Sequence, residues 1–107
     1  MDKNQILDRM TYILKKEDMQ RISIQKDADG TIVLVINVHE MKVAQAKRVI
    51  NSIIIMYRFP FKLKIIHGYV HGTAIKEMLI YNFDNRRIVN KKSESYNPGV
   101  TIFQLAF

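Results

Sequence analysis

The chain has 107 residues, 48% of them hydrophobic and 25% charged, with no cysteine and a net charge of +7. That length supports one domain around one modest core, and that composition excludes a wholly disordered chain. The missing cysteines exclude disulfides, thiolate metal clusters and cysteine nucleophiles.

The charge is uneven. Residues 1–30 carry six basic and six acidic side chains, and residues 31–107 carry eleven and four, so the whole excess lies in the second segment. A basic surface favours polyanions, nucleic acid first and an anionic membrane surface second. The opening residues Met1, Asp2 and Lys3 lead into no apolar run of signal-peptide length. The longest apolar stretches, such as Ile53–Tyr57, are far too short to span a membrane. A cytoplasmic protein with no membrane partner is expected.

In chain order, Ile6, Leu7, Met10, Ile13 and Leu14 recur at helical spacing, which predicts a docking helix over 3–18 with Asp2 and Gln5 at its start. Ile22 and Ile24 alternate with polar residues, and Asp29-Gly30 marks a tight turn into a second strand, Thr31–Val38. That strand is apolar on both faces, the pattern of a strand central in an α/β sheet. Its polar residues, Asn37 and His39, arrive only at its end and share the face of Val33 and Val35.

Val43, Ala46, Val49, Ile50, Ile53, Met56 and Tyr57 predict a helix over 41–57, stopped by Pro60. A short strand over 62–66 ends at His67-Gly68. Thr73 reads as a helix cap, followed by Ile75, Met78, Leu79 and Phe83 on one face. Two strands close the chain, 86–92 and 99–106, joined by an Asn97-Pro98-Gly99 turn. The expected fold is an α/β (α+β) two-layer sandwich of order αββαβαββ. Its sheet is mixed, with four to five strands and a central βαβ unit.

A right-handed βαβ crossover makes its two strands parallel, so both end at one edge of the sheet, where α/β folds bind ligands. This brings His39 and His67 to the same edge. The segment Gly68–Thr73 runs into a helix N-terminus, where free N–H groups and a partial positive charge suit phosphate. Each feature also has a plainer reading, a hydrogen-bonded surface histidine and a turn glycine. No Lys-Ser/Thr pair follows Gly72, so this is no Walker loop, and no G-x-S-x-G motif is present. His39, His67 and His71 offer nitrogen ligands, but no Asp stands beside them and a glycine loop gives them no shared direction. No tightly bound metal and no small-molecule cofactor are expected, a loosely held divalent ion staying open.

IIHGYVHGTAIKEML (Ile65–Leu79) resembles the H-G-x-G-x-G segment of the small MutS-related, or Smr, domain. INVH (Ile36–His39) resembles that domain's L-D-x-H segment, and NPGVTIFQL (Asn97–Leu105) its closing strand, G-V-T-x-x-x-L. The resemblance divides the chain into an extension, 1–30, and an Smr-like domain, 31–107. It implies a two-layer fold similar to the C-terminal domain of translation initiation factor three. It also implies nucleic-acid binding and, in several members, DNA-nicking or RNA-cleaving endonuclease activity. By position, His39 matches the first motif, His67, Gly68 and Gly72 match the second, and Lys76 lies near its basic residue. The chain departs from the pattern at Asn37, where the family has an acid, and at Glu40 and Val70, where it has glycine.

The function expected is therefore Smr-type nucleic-acid binding, to RNA or DNA, with endonuclease activity added if His39 and His67 act as an acid–base pair. Asn37, Lys42, Gly68, His71, Gly72, Thr73 and Lys76 would hold phosphate, with Glu40 opposing them. The alternative is a non-catalytic module for RNA, DNA or ribosomes. A third reading gives the neutral N-terminal helix a role in self-association; the oligomeric state is open.

Overall fold

A computed structural model of the chain describes residues 3–12, 14–69 and 72–107. The helix expected over 3–18 divides into α1 (Lys3–Thr11) and α2 (Lys16–Met19). The Thr11 hydroxyl donates to the Asp8 carbonyl (2.6 Å), and Lys15 is extended (ψ 153°), which ends one helix before the next begins. Ile6 and Met10 are fully buried, and Leu14 and Met19 pack against the same core from either side of the break. The expected caps at Asp2, and Ile13, lie outside the described residues.

The Asp29-Gly30 turn joins β1 (Ile22–Lys26) to β2 (Ile32–Asn37), antiparallel, with Ile24 opposite Leu34. The Asp29 carboxylate accepts the Thr31 N–H (2.9 Å), which closes the turn and pulls the Asp29 pKa below its ordinary value. β2 leads through α3 (Val43–Met56) to β3 (Phe61–Ile66), and β2 and β3 pair in parallel with Leu34 beside Leu63. Lys42, expected inside the first turn of this helix, is its extended N-cap residue instead. α4 (Ala74–Tyr81) follows, then β4 (Ile88–Glu94) and β5 (Asn97–Leu105).

The last turn is not Asn97-Pro98-Gly99. Glu94 pairs with Asn97, so Ser95 and Tyr96 make the turn and the Asn-Pro-Gly segment opens β5. Pro98 is accommodated at an irregularity, because the β4–β5 register shifts between Ser93 and Glu94 and Pro98 has no paired residue on either β4 or β3.

The sheet order is β1-β2-β3-β5-β4, which makes β3 the central strand and β2 its neighbour. Alternation puts Leu34, Ile36, Phe61, Leu63, Ile65, Phe103 and Leu105 on the face that shares one core with Ile6, Ile50, Ile53 and Leu79 from the helices. Removing Leu63, fully buried on the central strand, would cost about 2–5 kcal/mol. The second face carries Val33, Val35, Lys62, Lys64, Ile66 and Ile102, none of which joins that core. Lys62 pairs with Asp27 (2.7 Å) and Lys64 with Glu94 (2.6 Å).

Two cations pin the helices to the strands. Arg87, just before β4, donates to the carbonyls of Ile54, Phe59 (3.1 Å) and Ala106 (2.9 Å). Lys91 on β4 donates to the carbonyls of Leu79 (2.7 Å) and Ile80 (3.5 Å) in the last turn of α4 and to that of Phe83 (2.6 Å) just beyond it. The described residues before Thr31 share the sheet and core of the rest, since β1 is an edge strand of the same sheet and Ile6 and Met10 belong to the same core.

Candidate functional site

Because β2 and β3 are parallel and in register, with Asn37 beside Ile66, they end together. The Val38 N–H donates to the Ile66 carbonyl (2.9 Å), one step further on. His39 and His67 follow immediately. Both line a cavity of about 710 Å3 with Lys42 and Val43 at the start of α3, Gly68, Tyr69 and Gly72 in the next loop, Ile75 and Lys76 in α4, and Asn97, Gly99 and Val100 in β5.

The two histidines sit differently. His67 continues the alternation of Phe61, Leu63 and Ile65, so its ring turns toward the core and is only 5% exposed. Nδ1 lies 2.7 Å from the Gly68 carbonyl, which can only accept, so Nδ1 carries a proton. In the neutral ring Nε2 then accepts the Thr101 hydroxyl, 2.9 Å away. Burial pushes the His67 pKa below its ordinary value; the Gly68 carbonyl works against this and the charge of Lys76 adds to it.

His39 is half-exposed. The Asn37 side-chain oxygen accepts the His39 backbone N–H (3.1 Å) and contacts ring Nδ1. As an acceptor it places the proton on Nδ1, leaving Nε2 3.4 Å from a Glu40 carboxylate oxygen. Glu40 is also 4.0 Å from Arg21. The amide at Asn37 thus makes an orienting contact without the negative charge that a carboxylate would bring to the same place.

Two glycines let the wall close. Gly68 has φ +71°, a left-handed conformation, and lies against His39. A Cβ on Gly99 would stand 3.2 Å from the Gly68 backbone and 3.3 Å from the Tyr69 ring. That close approach lets the Gly99 carbonyl accept both the His67 (2.9 Å) and Gly68 (3.0 Å) N–H groups.

Of the residues expected to hold phosphate, Lys42, Gly68, Gly72 and Lys76 line the cavity. Asn37 does not line it, and acts on it through His39. Thr73 does not line it either, and it makes no side-chain cap; its hydroxyl donates to Glu77 (3.1 Å). His71 and Val70 lie outside the described residues. Sequence reasoning missed Tyr69, Asn97, Gly99 and Thr101. Only Thr101 carried a signal, a polar residue in phase with the apolar Phe103 and Leu105.

Among the described residues, no carboxylate lines the cavity, and neither Lys42 nor Lys76 pairs with one. The N-termini of α3 and α4 also open on it, and their first N–H groups lack intrahelical acceptors. The arrangement can receive an anion beside an apolar group. No three His, Cys, Asp or Glu side chains among the described residues gather as a cation cage, and no described helix is long and apolar enough to cross a membrane. No protein-family model, no curated protein and no solved structure matches the chain.

Proposed function

We propose that the protein is a nucleic-acid-binding domain of the Smr type, which holds a phosphodiester backbone at the shared end of β2 and β3. The observation that carries this reading is a cavity that gathers Lys42, Lys76 and two helix N-termini without a lining carboxylate among the described residues. Lys42 and Lys76 supply charge, and the loop around Gly68 and Gly72 gives backbone close access to phosphate oxygens. The βαβαββ order from β2 to β5 and the two-layer build support a fold similar to the C-terminal domain of translation initiation factor three. Binding of labelled RNA and DNA, followed by fluorescence anisotropy across salt, tests this. Affinity falls with salt at a log–log slope of about 0.9 for each phosphate neutralised on B-DNA. Affinity that ignores salt overturns it.

A second reading, RNA cleavage at the same site, is favoured by the Asn37–His39 pair. With Nδ1 protonated, the half-exposed His39 ring presents an unprotonated Nε2, 3.4 Å from a Glu40 oxygen, that takes the proton of an RNA 2′-hydroxyl, which then attacks the adjacent phosphorus and expels the 5′-oxygen. His67, buried with both nitrogens engaged, contributes as a positioning residue that holds Gly68 and Thr101. The leaving oxygen is protonated by water. Cleavage that survives a chelator and disappears in His39→Ala supports this reading; RNA left intact leaves binding as the activity.

A further inference from the structure

We propose that Tyr69 and Tyr96 form a stacking platform for unpaired bases at the rim of the cavity, so that its ligand is single-stranded nucleic acid. This rests on the nucleic-acid reading above and names the form of nucleic acid that the same site takes.

Tyr69 lies in the cavity wall immediately after Gly68, yet it is 54% exposed. Its ring rests against Gly99, close enough that a Cβ there would meet it at 3.3 Å. Glycine at 99 therefore seats the ring on the β5 backbone and leaves much of the side chain open to solvent. Tyr96 is fully exposed at the β4–β5 turn, next to Asn97, which lines the same cavity.

The backbone of Tyr96 is the second observation. Its φ is +63°, the one positive φ among the described residues that are not glycine. A bulky side chain is strained there, and glycine or asparagine would make this two-residue turn with less strain. The side chain is fully exposed and none of the aromatic contacts among the described residues includes it, so folding gains nothing evident from a tyrosine in that place. A ring held out beside a cationic cavity is suited to a planar ligand.

The chemistry fits a strand with splayed bases. Lys42 and Lys76 neutralise phosphates while the rings take base faces, the combination by which proteins hold single strands with little sequence preference. A duplex hides its base faces in the stack and presents only its backbone to such a site.

The test is anisotropy with labelled oligo-dT and oligo-rU of about 12 nucleotides, and a duplex of about the same length. The expected result is tighter binding of the single strands, with Tyr69→Ala weakening them about tenfold or more and leaving the duplex unchanged. Tyr69→Phe, which keeps the ring, retains the affinity. Tyr96→Gly weakens single-strand binding while raising the melting temperature, because it removes the ring and the strain together; a purely structural tyrosine would not separate the two. Equal affinity for both forms, unchanged by the tyrosine variants but lowered by Lys42→Ala, overturns the platform and leaves the nucleic-acid reading standing. No binding of any of the three probes overturns both.

Discussion

At the end of the sheet away from the cavity, Arg87 donates to three backbone carbonyls, and on β4 Lys91 donates to three at and just past the end of α4. Across the open face, Lys62 and Lys64 each hold a carboxylate. At the shared end of β2 and β3, Lys42 and Lys76 have no such partner among the described residues, although both are equally part of the basic second segment. The first group is committed to the fold, because any ligand that used those cations would have to displace an internal acceptor. The second group leaves its field unneutralised beside two helix N-termini. Net charge alone does not distinguish these uses; the nearest acceptors do.

The largest expected effect breaks the committed side. Arg87→Ala leaves three carbonyls without their shared donor and should cost about 3 kcal/mol. That is a fall on the order of 10 °C in melting temperature, read by thermal denaturation. Nucleic-acid affinity per folded molecule should not change. Arg87→Lys should restore only part, because an ammonium cannot span the three acceptors that a guanidinium fork reaches.

The converse result is expected at the cavity. Lys42→Ala combined with Lys76→Ala should weaken nucleic-acid binding about tenfold and lower the salt slope by about two, with the melting temperature nearly unchanged. Lys62→Ala combined with Lys64→Ala is the control, and should leave the slope as it is. If the control moves the slope and the cavity pair does not, the open face is the binding surface.

A smaller effect concerns pH. The folded-state pKa of His67 is held below its ordinary value of 6.5, first by burial. The unfolded chain then binds more protons than the folded chain, so stability rises with pH in that range. His67 contributes fully above pH 6.5, and the contribution declines as the solution is made more acid. Melting temperature against pH should show that decline in the parent protein, and His67→Asn should flatten it. A slope that persists in His67→Asn would assign it to other groups.

The smallest effect is at Glu40, which faces His39 and Arg21 and is well exposed. Its charge lies next to the proposed phosphate site, so Glu40→Gly should tighten binding, by less than about fivefold given solvent screening. A loss of binding or cleavage in this variant would make Glu40 a working acid.

Much of the fold could be read locally. Helical spacing placed α3 to within two residues at its start, and the Asp29-Gly30 turn located the β1–β2 hairpin. The βαβ rule brought the ends of β2 and β3 together, and with them His39, His67 and Lys42. Two elements were misread. The periodicity of Ile6 to Leu14 runs through the break between α1 and α2, because Leu14 and Met19 still reach the core from both sides of it. Asn97-Pro98-Gly99 has turn composition, yet it forms strand because the pairing of Glu94 with Asn97 moves the turn to Ser95-Tyr96.

The sequence by itself determined the basic second segment, the βαβαββ order from β2 onward and the meeting of two strand ends, since the order and the meeting follow from periodicity, turn sterics and crossover handedness. Only the tertiary structure decided what those strand ends can do. The wall that closes the cavity comes from β5, about thirty residues further on, and its fit depends on a backbone approach at Gly68 and Gly99 that no local pattern encodes. The same packing buries His67 against Thr101 and leaves His39 half-exposed, so two histidines in equivalent positions differ in access and in hydrogen-bond partners. Burial and hydrogen-bond partners are long-range properties, set by which segments meet, and they separate a cation or histidine held by the fold from one open to a ligand.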